Sequence, residues 1–214
     1  MSVRVLASLR SARLDALDQE LAALEAGGIE GYHLDVMDGV FVPETCFDPG
    51  FCATLRAATT QMIDVHLMVE DPLIAAPRWA QAGADRVSFH VEAAEDARAV
   101  IDAIRGAGAQ PGIVCFPRTS LATLAEFLPL VAVVNPLGVD PQQKLGFQET
   151  TYQRVANLAA KRTQLGADFR IQADGGVWEK TRQGLVEAGA DELVGGYPIF
   201  SSDDYGAAIS ALRG

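Results

Sequence analysis

Short β-branched runs alternate with longer Ala- and Leu-rich amphipathic segments along the whole chain, and no Pro-, Gly- or Ser-rich linker interrupts the alternation. That rhythm belongs to βα units, in which a parallel strand buried on both faces is followed by a helix packing back over the sheet. Strands are predicted at Val3 to Ser8, Gly31 to Val36, Met62 to Leu67, Arg86 to His90, Gly112 to Phe116, Val131 to Asn135, Phe169 to Ala173 and Glu192 to Gly195. Helices are predicted at Leu14 to Ala26, Pro49 to Ala58, Pro72 to Ala82, Ala94 to Gly106, Ser120 to Leu128, Thr150 to Leu165, Trp178 to Ala188 and Asp203 to Arg213. Four segments, EAGGIE, QAGADR, GAGAQP and EAGADE, put Gly at a helix end, where a left-handed residue closes the helix before the next strand.

Eight such units match a single (β/α)8 TIM barrel over residues 1–214, lean beside the roughly 250 residues typical of the fold. The rival is an open doubly wound sheet, which the same alternation permits. Polar residues decide between them. A barrel collects its chemistry at the carboxyl ends of several strands, and the strand ends here carry Ser8, His33 and Asp35, His66, His90 and Asp174. A dinucleotide fold places GxGxxG after its first strand, and the ASLRSA segment there has no glycine.

Composition narrows the function. With 49% hydrophobic and 21% charged residues the chain has ample core material, so wholesale disorder is excluded. Lys and Arg number 17 against 28 Asp and Glu, a net charge of -11 that repels nucleic acid and anionic membranes. No apolar run approaches the roughly 20 residues of a membrane span, and MSVRVLASLRSARLDAL lacks the features of a signal peptide, so a cytoplasmic protein is expected. Cys46, Cys52 and Cys115 are odd in number and lack CxxC spacing, which indicates thiols rather than a disulfide framework or a cysteine zinc site.

In GYHLDVMDG, residues His33, Asp35 and Met37 stand at i, i+2 and i+4, so a strand sends all three to one face. MIDVHLM does the same with Asp64, His66 and Met68. Imidazoles and a carboxylate on neighbouring strands suit a divalent transition metal, and Asp174 of QADGG faces the same centre from across a barrel. A lone histidine is usually a hydrogen-bonded core or rim residue. Several inward acids change that balance, because a bound cation offsets carboxylates that are costly to bury. His90 and Glu92 of HVE, and Asp64, are candidates for holding the ligands rather than binding the metal.

HLDVMDGVFVP, IDVHLMVEDP, SFHVEA, ADGG and GGYPIF, in this order and at these intervals, resemble the ribulose-phosphate 3-epimerase family of (β/α)8 barrels over essentially the whole chain. The resemblance implies a metal held by His33, Asp35, His66 and Asp174, with Asp35 and Asp174 doubling as the acid/base pair. The cofactor it implies is one divalent cation, Zn, Mn, Fe or Co. The implied reaction inverts C3 of a phosphorylated ketose, ribulose 5-phosphate and xylulose 5-phosphate being the first pair, through an enediolate. Ser8 matches the family's substrate-contacting serine, and Met37 and Met68 either line the substrate or fill the core. The family also implies a homo-oligomer, a dimer or a hexamer.

The phosphate end departs from the family. Gly175, Gly176, Gly195 and Gly196 are kept, but NPLGVDPQQKLGF, Asn135 to Phe147, replaces a glycine-rich loop. Tyr197 stands in place of a serine and is followed by Pro198, which has no N–H to donate. Lys144 is a candidate phosphate contact alongside Gly175, Gly176, Gly196 and Tyr197, or else a solvated surface lysine. The metal-centred chemistry is thus expected to persist while the distal end of the substrate is re-specified. The competing readings are a sugar-phosphate isomerase or aldolase on the same barrel, and a non-catalytic sugar-phosphate-binding homologue.

Overall fold

The computed structural model describes residues 3–214. Eight parallel strands close into a barrel: β1 (Arg4–Ser8), β2 (Gly31–Asp38), β4 (Met62–Met68), β5 (Arg86–His90), β6 (Gln110–Cys115), β7 (Val133–Pro136), β8 (Arg170–Ala173) and β9 (Glu192–Gly195). Closure is direct, because β1 pairs with both β2 and β9. The two-residue β3 (Thr45–Cys46) is a flap lying antiparallel on the end of β2, with Met37 opposite Cys46. A pairing that short has no hydrophobic period and is not visible in the sequence.

Helices α1 (Leu17–Ala26), α2 (Pro49–Ala58), α3 (Pro72–Gln81), α4 (Ala97–Gly106), α5 (Thr150–Leu165), α6 (Glu179–Ala188) and α8 (Tyr205–Arg213) surround the barrel, with a single turn, α7 (Tyr197–Phe200), after β9. Asp48, Asp71, Asp96 and Asp204 cap α2, α3, α4 and α8, each accepting a hydrogen bond from an amide of the first turn. Such a cap is worth about 1 kcal/mol. At Gly83 (φ 108°) and Gly189 (φ 110°) the chain turns out of α3 and α6 through the left-handed region, as the repeated tails require.

One predicted helix is absent. Ser120 to Leu128 forms 3-10 turns at Leu121–Leu124 and Leu128–Leu130 instead. Pro129 bars an α-helix at the end of this segment, since it has no N–H for the Ala125 carbonyl and disfavours the helical conformation at Leu128; nothing in the structure explains the 3-10 form of Leu121–Leu124.

Strand alternation divides the interior into two cores. Tyr32, Leu34 and Val36 of β2, with Ile63, Val65 and Leu67 of β4, pack outward in the main cluster with Leu55, Trp79 and Ile104 of the helices. The alternate residues line the barrel, in a register that sets His33 beside Asp64, Asp35 beside His66, and Met37 beside Met68. Below the histidines lies a polar floor. Arg86, 2% exposed, donates to Asp64 at 2.6 Å and to Glu192 at 2.6 Å, and Gln172 donates to Asp64 at 2.7 Å.

Arg86→Leu would leave Asp64 and Glu192 without their shared cation. A buried pair broken on one side costs about 3–5 kcal/mol, so the variant is expected to lose that much in chemical denaturation. A loss below about 1 kcal/mol would show that solvent, not Arg86, stabilises these carboxylates.

Candidate functional site

At the carboxyl end of the barrel β2 contributes His33 and Asp35, β4 contributes His66, and the turn after β8 contributes Asp174. One ligand-type atom from each lies within 4.8 Å of all the others. His33 Nε2 is 3.5 Å from Asp35 Oδ1 and 3.7 Å from Asp174 Oδ2, and His66 Nδ1 is 3.5 Å and 3.4 Å from the same two oxygens. Both imidazoles are essentially inaccessible, and these two nitrogens have no hydrogen-bond partner among the described residues.

Two unpartnered ring nitrogens aimed at two carboxylates fit a divalent cation. The four nitrogen-to-oxygen separations of 3.4–3.7 Å are those of donors that can share one ion at zinc-to-imidazole and zinc-to-carboxylate bond lengths of about 2.0–2.2 Å. Two nitrogen and two oxygen donors suit Zn, Mn, Fe or Co alike.

Each ring is held from behind. Asp64 lies 2.8 Å from His33 Nδ1, which places a proton there and leaves Nε2 bare. His66 Nε2 lies 3.0 Å from His90 Nε2, and His90 Nδ1 lies 3.1 Å from Glu92 Oε2. Ser8 Oγ donates to Asp35 Oδ2 at 2.7 Å. Burial opposes charge on His33, but Asp35, Asp64 and Asp174 outweigh it and raise the pKa well above the usual value. Burial likewise opposes charge on His66, and the approach of Asp174 and Asp35 again prevails and raises it. Asp35 is driven well below the carboxylate range, because His33 and His66 overcome its desolvation. His90 is pushed down to about 4, chiefly by burial. Glu92 falls to about 2: burial opposes its charge, and contacts from His90, Thr119 and the Phe116 amide overcome that.

Ser8, Asp174, Gly175, Gly176, Gly196 and Tyr197 line one small cavity of about 180 Å³ beside the cluster. Trp178 and Tyr197, both exposed, stand at its rim with ring centroids 5.6 Å apart. Met37 and Met68 are buried against Val42, Phe41 and Cys46. Lys144 lies apart from this group, exposed at a hairpin tip closed by mutual Asp140 and Leu145 hydrogen bonds, with a left-handed φ of 55°. That hairpin is latched across the mouth, with Asp140 and Gln142 bound by Arg118 and with Gln142 donating to the Phe41 carbonyl at 2.6 Å. Phe41 and Phe116 cover His90 at centroid distances of 5.0 and 4.3 Å.

Sequence reasoning did not single out Arg86, Gln172, Glu192 or the Phe41–Arg118–Asp140 clasp. For Arg86 a signal exists, since RVSFH places Arg86, Ser88 and His90 on one strand face. The clasp joins loops from three units, and nothing in local periodicity reports such a contact.

Fold and site together define a (β/α)8-barrel protein with an enclosed cluster of two histidines and two carboxylates at the end of the barrel where such folds carry their chemistry. Comparison with known proteins takes this further. The model of the ribulose-phosphate 3 epimerase family matches residues 4–200. A ribulose-phosphate 3-epimerase of Treponema pallidum is 41% identical over 198 residues, covering 91% of this chain and 89% of that protein. One from Bacillus subtilis is 35% identical over 217 residues and 99% of each chain. The chain belongs to the ribulose-phosphate 3-epimerase family. Among solved structures, KGPDC from Streptococcus mutans superposes with a TM-score of 0.72 at 13% identity, over 100% of this chain and 96% of that one. A 3-hexulose-6-phosphate synthase gives 0.66 at 20% identity, over 100% and 98%. Likeness at such identities is likeness of fold.

A zinc or manganese titration of chelator-treated protein is expected to reach one ion per chain and to raise the melting temperature. His66→Ala should lose that ion. Because protons on His33 and His66 compete for the same lone pairs, affinity should weaken as pH falls. Equal metal content in the wild type and His66→Ala would remove His66 from the centre.

Proposed function

We propose that this chain is a metal-dependent epimerase that inverts C3 of a phosphorylated ketose, with ribulose 5-phosphate and xylulose 5-phosphate the first pair to test. The reading rests on family membership and on one observation: two bare imidazole nitrogens buried between carboxylates from opposite walls of the barrel. His33, Asp35, His66 and Asp174 would hold the cation. Bound there, it would supply Lewis-acid polarisation of the substrate's carbonyl, which would lower the cost of removing the neighbouring C3 proton.

Asp35 and Asp174 are the proton-transfer pair. Each turns one oxygen to the histidines, Oδ1 of Asp35 and Oδ2 of Asp174. Asp35 Oδ2, on the Ser8 side, and Asp174 Oδ1 are the oxygens that exchange protons with C3. One carboxylate takes the proton from one face of the carbon and the other delivers a proton to the opposite face, with roles reversed in the reverse reaction. Ser8 fixes the Asp35 carboxylate, and Asn135, whose side-chain nitrogen lies 3.5 Å from Asp174 Oδ2, packs beside the other. Met37 and Met68 form an apolar wall that keeps water from the enediolate. Gly175, Gly176, Gly196 and Tyr197 receive the phosphate end, with Lys144 as a further candidate contact.

The same reading makes the chain a single-domain cytoplasmic enzyme that acts on a small sugar phosphate and not on nucleic acid, in a homo-oligomer. Its net charge of -11 supports the exclusion of nucleic acid. Among the described residues no helix is long and apolar enough to cross a membrane.

Incubation with ribulose 5-phosphate in deuterated water tests the reaction. Xylulose 5-phosphate carrying deuterium at C3 is expected, with no change in chain length. Metal-loaded Asp35→Asn and Asp174→Asn should each lose at least about a hundredfold in turnover; near-full activity in either would reject the two-carboxylate scheme.

Lys144→Ala should raise KM for the phosphorylated ketose while kcat holds, because a phosphate contact is made equally in ground and transition states. Unchanged kinetics would make Lys144 a surface residue and leave the phosphate to the glycine-lined cavity.

A further inference from the structure

We propose that Glu92 and His90 are positioning residues: they fix the proton of His66 on Nε2 and so keep Nδ1 a bare lone pair facing Asp35 and Asp174. The inference rests on reading the four-residue cluster as a metal centre. It follows from donor and acceptor accounting along one buried chain. The Phe116 amide can only donate, and it lies 2.8 Å from Glu92 Oε1, which also receives the Thr119 hydroxyl. Glu92 Oε2 is an acceptor, so His90 Nδ1, 3.1 Å away, carries a proton. With Phe41 and Phe116 enclosing the ring and an imidazole rather than a carboxylate at Nε2, His90 carries that one proton and keeps its lone pair at Nε2. The proton in the 3.0 Å gap between the two Nε2 atoms therefore belongs to His66. A neutral His66 with its proton on Nε2 has none on Nδ1, the nitrogen that is left without a partner.

The surroundings of His90 keep the chain of contacts closed at its centre. His90 is fully buried, covered by Phe41 and Phe116, and its two nitrogens meet only His66 and Glu92 among the described residues. Water that could break the chain is thus excluded. His33 is set differently, by one carboxylate acting directly at 2.8 Å. The two ligand-type histidines therefore face the cluster through different nitrogens, Nε2 of His33 and Nδ1 of His66.

Glu92→Gln keeps the size of the side chain and reverses the accounting. The Phe116 amide holds the new amide oxygen at the Oε1 position, so the amide NH2 faces His90 Nδ1. That nitrogen must now accept, the His90 proton moves to Nε2, and His66 must accept at its own Nε2. The His66 proton is thereby forced onto Nδ1, where a cation must displace it.

Histidine 15N spectra of zinc-loaded wild type should show His90 protonated at Nδ1 and His66 at Nε2. In Glu92→Gln the His90 proton should move to Nε2. Its zinc affinity should fall by about ten- to hundredfold, as loss of a hydrogen-bond partner behind a ligand commonly does, while the metal-free melting temperature stays close to wild type. A merely structural contact would alter melting without moving the tautomer. Wild-type His90 protonated at Nε2 overturns the proposal, with or without a folded variant. So does zinc affinity within twofold of wild type in folded Glu92→Gln. Wild-type protein that binds no zinc at the cluster removes the metal reading and the relay with it. Zinc binding with the expected tautomers but no epimerisation leaves the relay standing and rejects the proposed reaction.

Discussion

The structure turns on the problem of holding carboxylates inside a closed barrel. Asp64 and Glu192 share Arg86, but Asp35 and Asp174 meet only histidines as charge partners among the described residues. Taking an unpaired carboxylate out of water costs several kcal/mol even after the protein relaxes. The approach of Asp35 and Asp174 raises the pKa values of His33 and His66 against the effect of burial, so protons compete for the ring nitrogens that face these acids. A divalent ion at the same point would replace those protons. The residues around the cluster are arranged so that the exchange requires little movement, since each ring is already aimed from behind.

This arrangement explains why the barrel interior is layered. Arg86, Asp64, Gln172 and Glu192 form a charged floor, the histidines and Asp35 stand on it, and the methionines close one side above. Asp64 belongs to two layers at once, accepting from Arg86 below and positioning His33 above. The floor therefore does more than stabilise the amino end of the barrel. It supplies the fixed carboxylate that sets one ligand-type nitrogen, so packing beneath the site is part of the site's chemistry.

Much of this is legible in the sequence because a strand's period of two is absolute. Once GYHLDVMDG and MIDVHLM are strands, His33, Asp35, Met37, Asp64, His66 and Met68 must share one side, and the observed register only sets the pairs. The helices are legible through the same kind of constraint, their aspartate caps and glycine exits. Legibility fails where structure depends on contacts between distant loops. The β3 flap and the Arg118–Asp140–Gln142 clasp each arise from tertiary geometry, and Pro129 overrides the helical propensity of the residues just before it. Lys144 illustrates the limit: its charge makes it a candidate anion contact, but its place at a hairpin tip follows from the Asp140 and Leu145 pairing, which local periodicity does not report.

The divergent loop and the histidine–carboxylate centre are nonetheless physically joined. Gln142 reaches from the hairpin to the Phe41 carbonyl, and Phe41 covers His90 behind His66. Arg118 binds Asp140 and Gln142 while lying 4.3 Å over the Phe116 ring, and the amide of Phe116 holds Glu92. Water entering at Phe41 would offer His90 a competing donor and acceptor, and the order of protons behind His66 would no longer be fixed. The loop that departs from the family's glycine-rich one therefore also keeps this side of the barrel covered. The hairpin form of this loop serves that end: Asp140 at its closing pair and Gln142 in its turn bind Arg118 and the Phe41 carbonyl on the side of the histidines, while Lys144 in the same turn stays exposed.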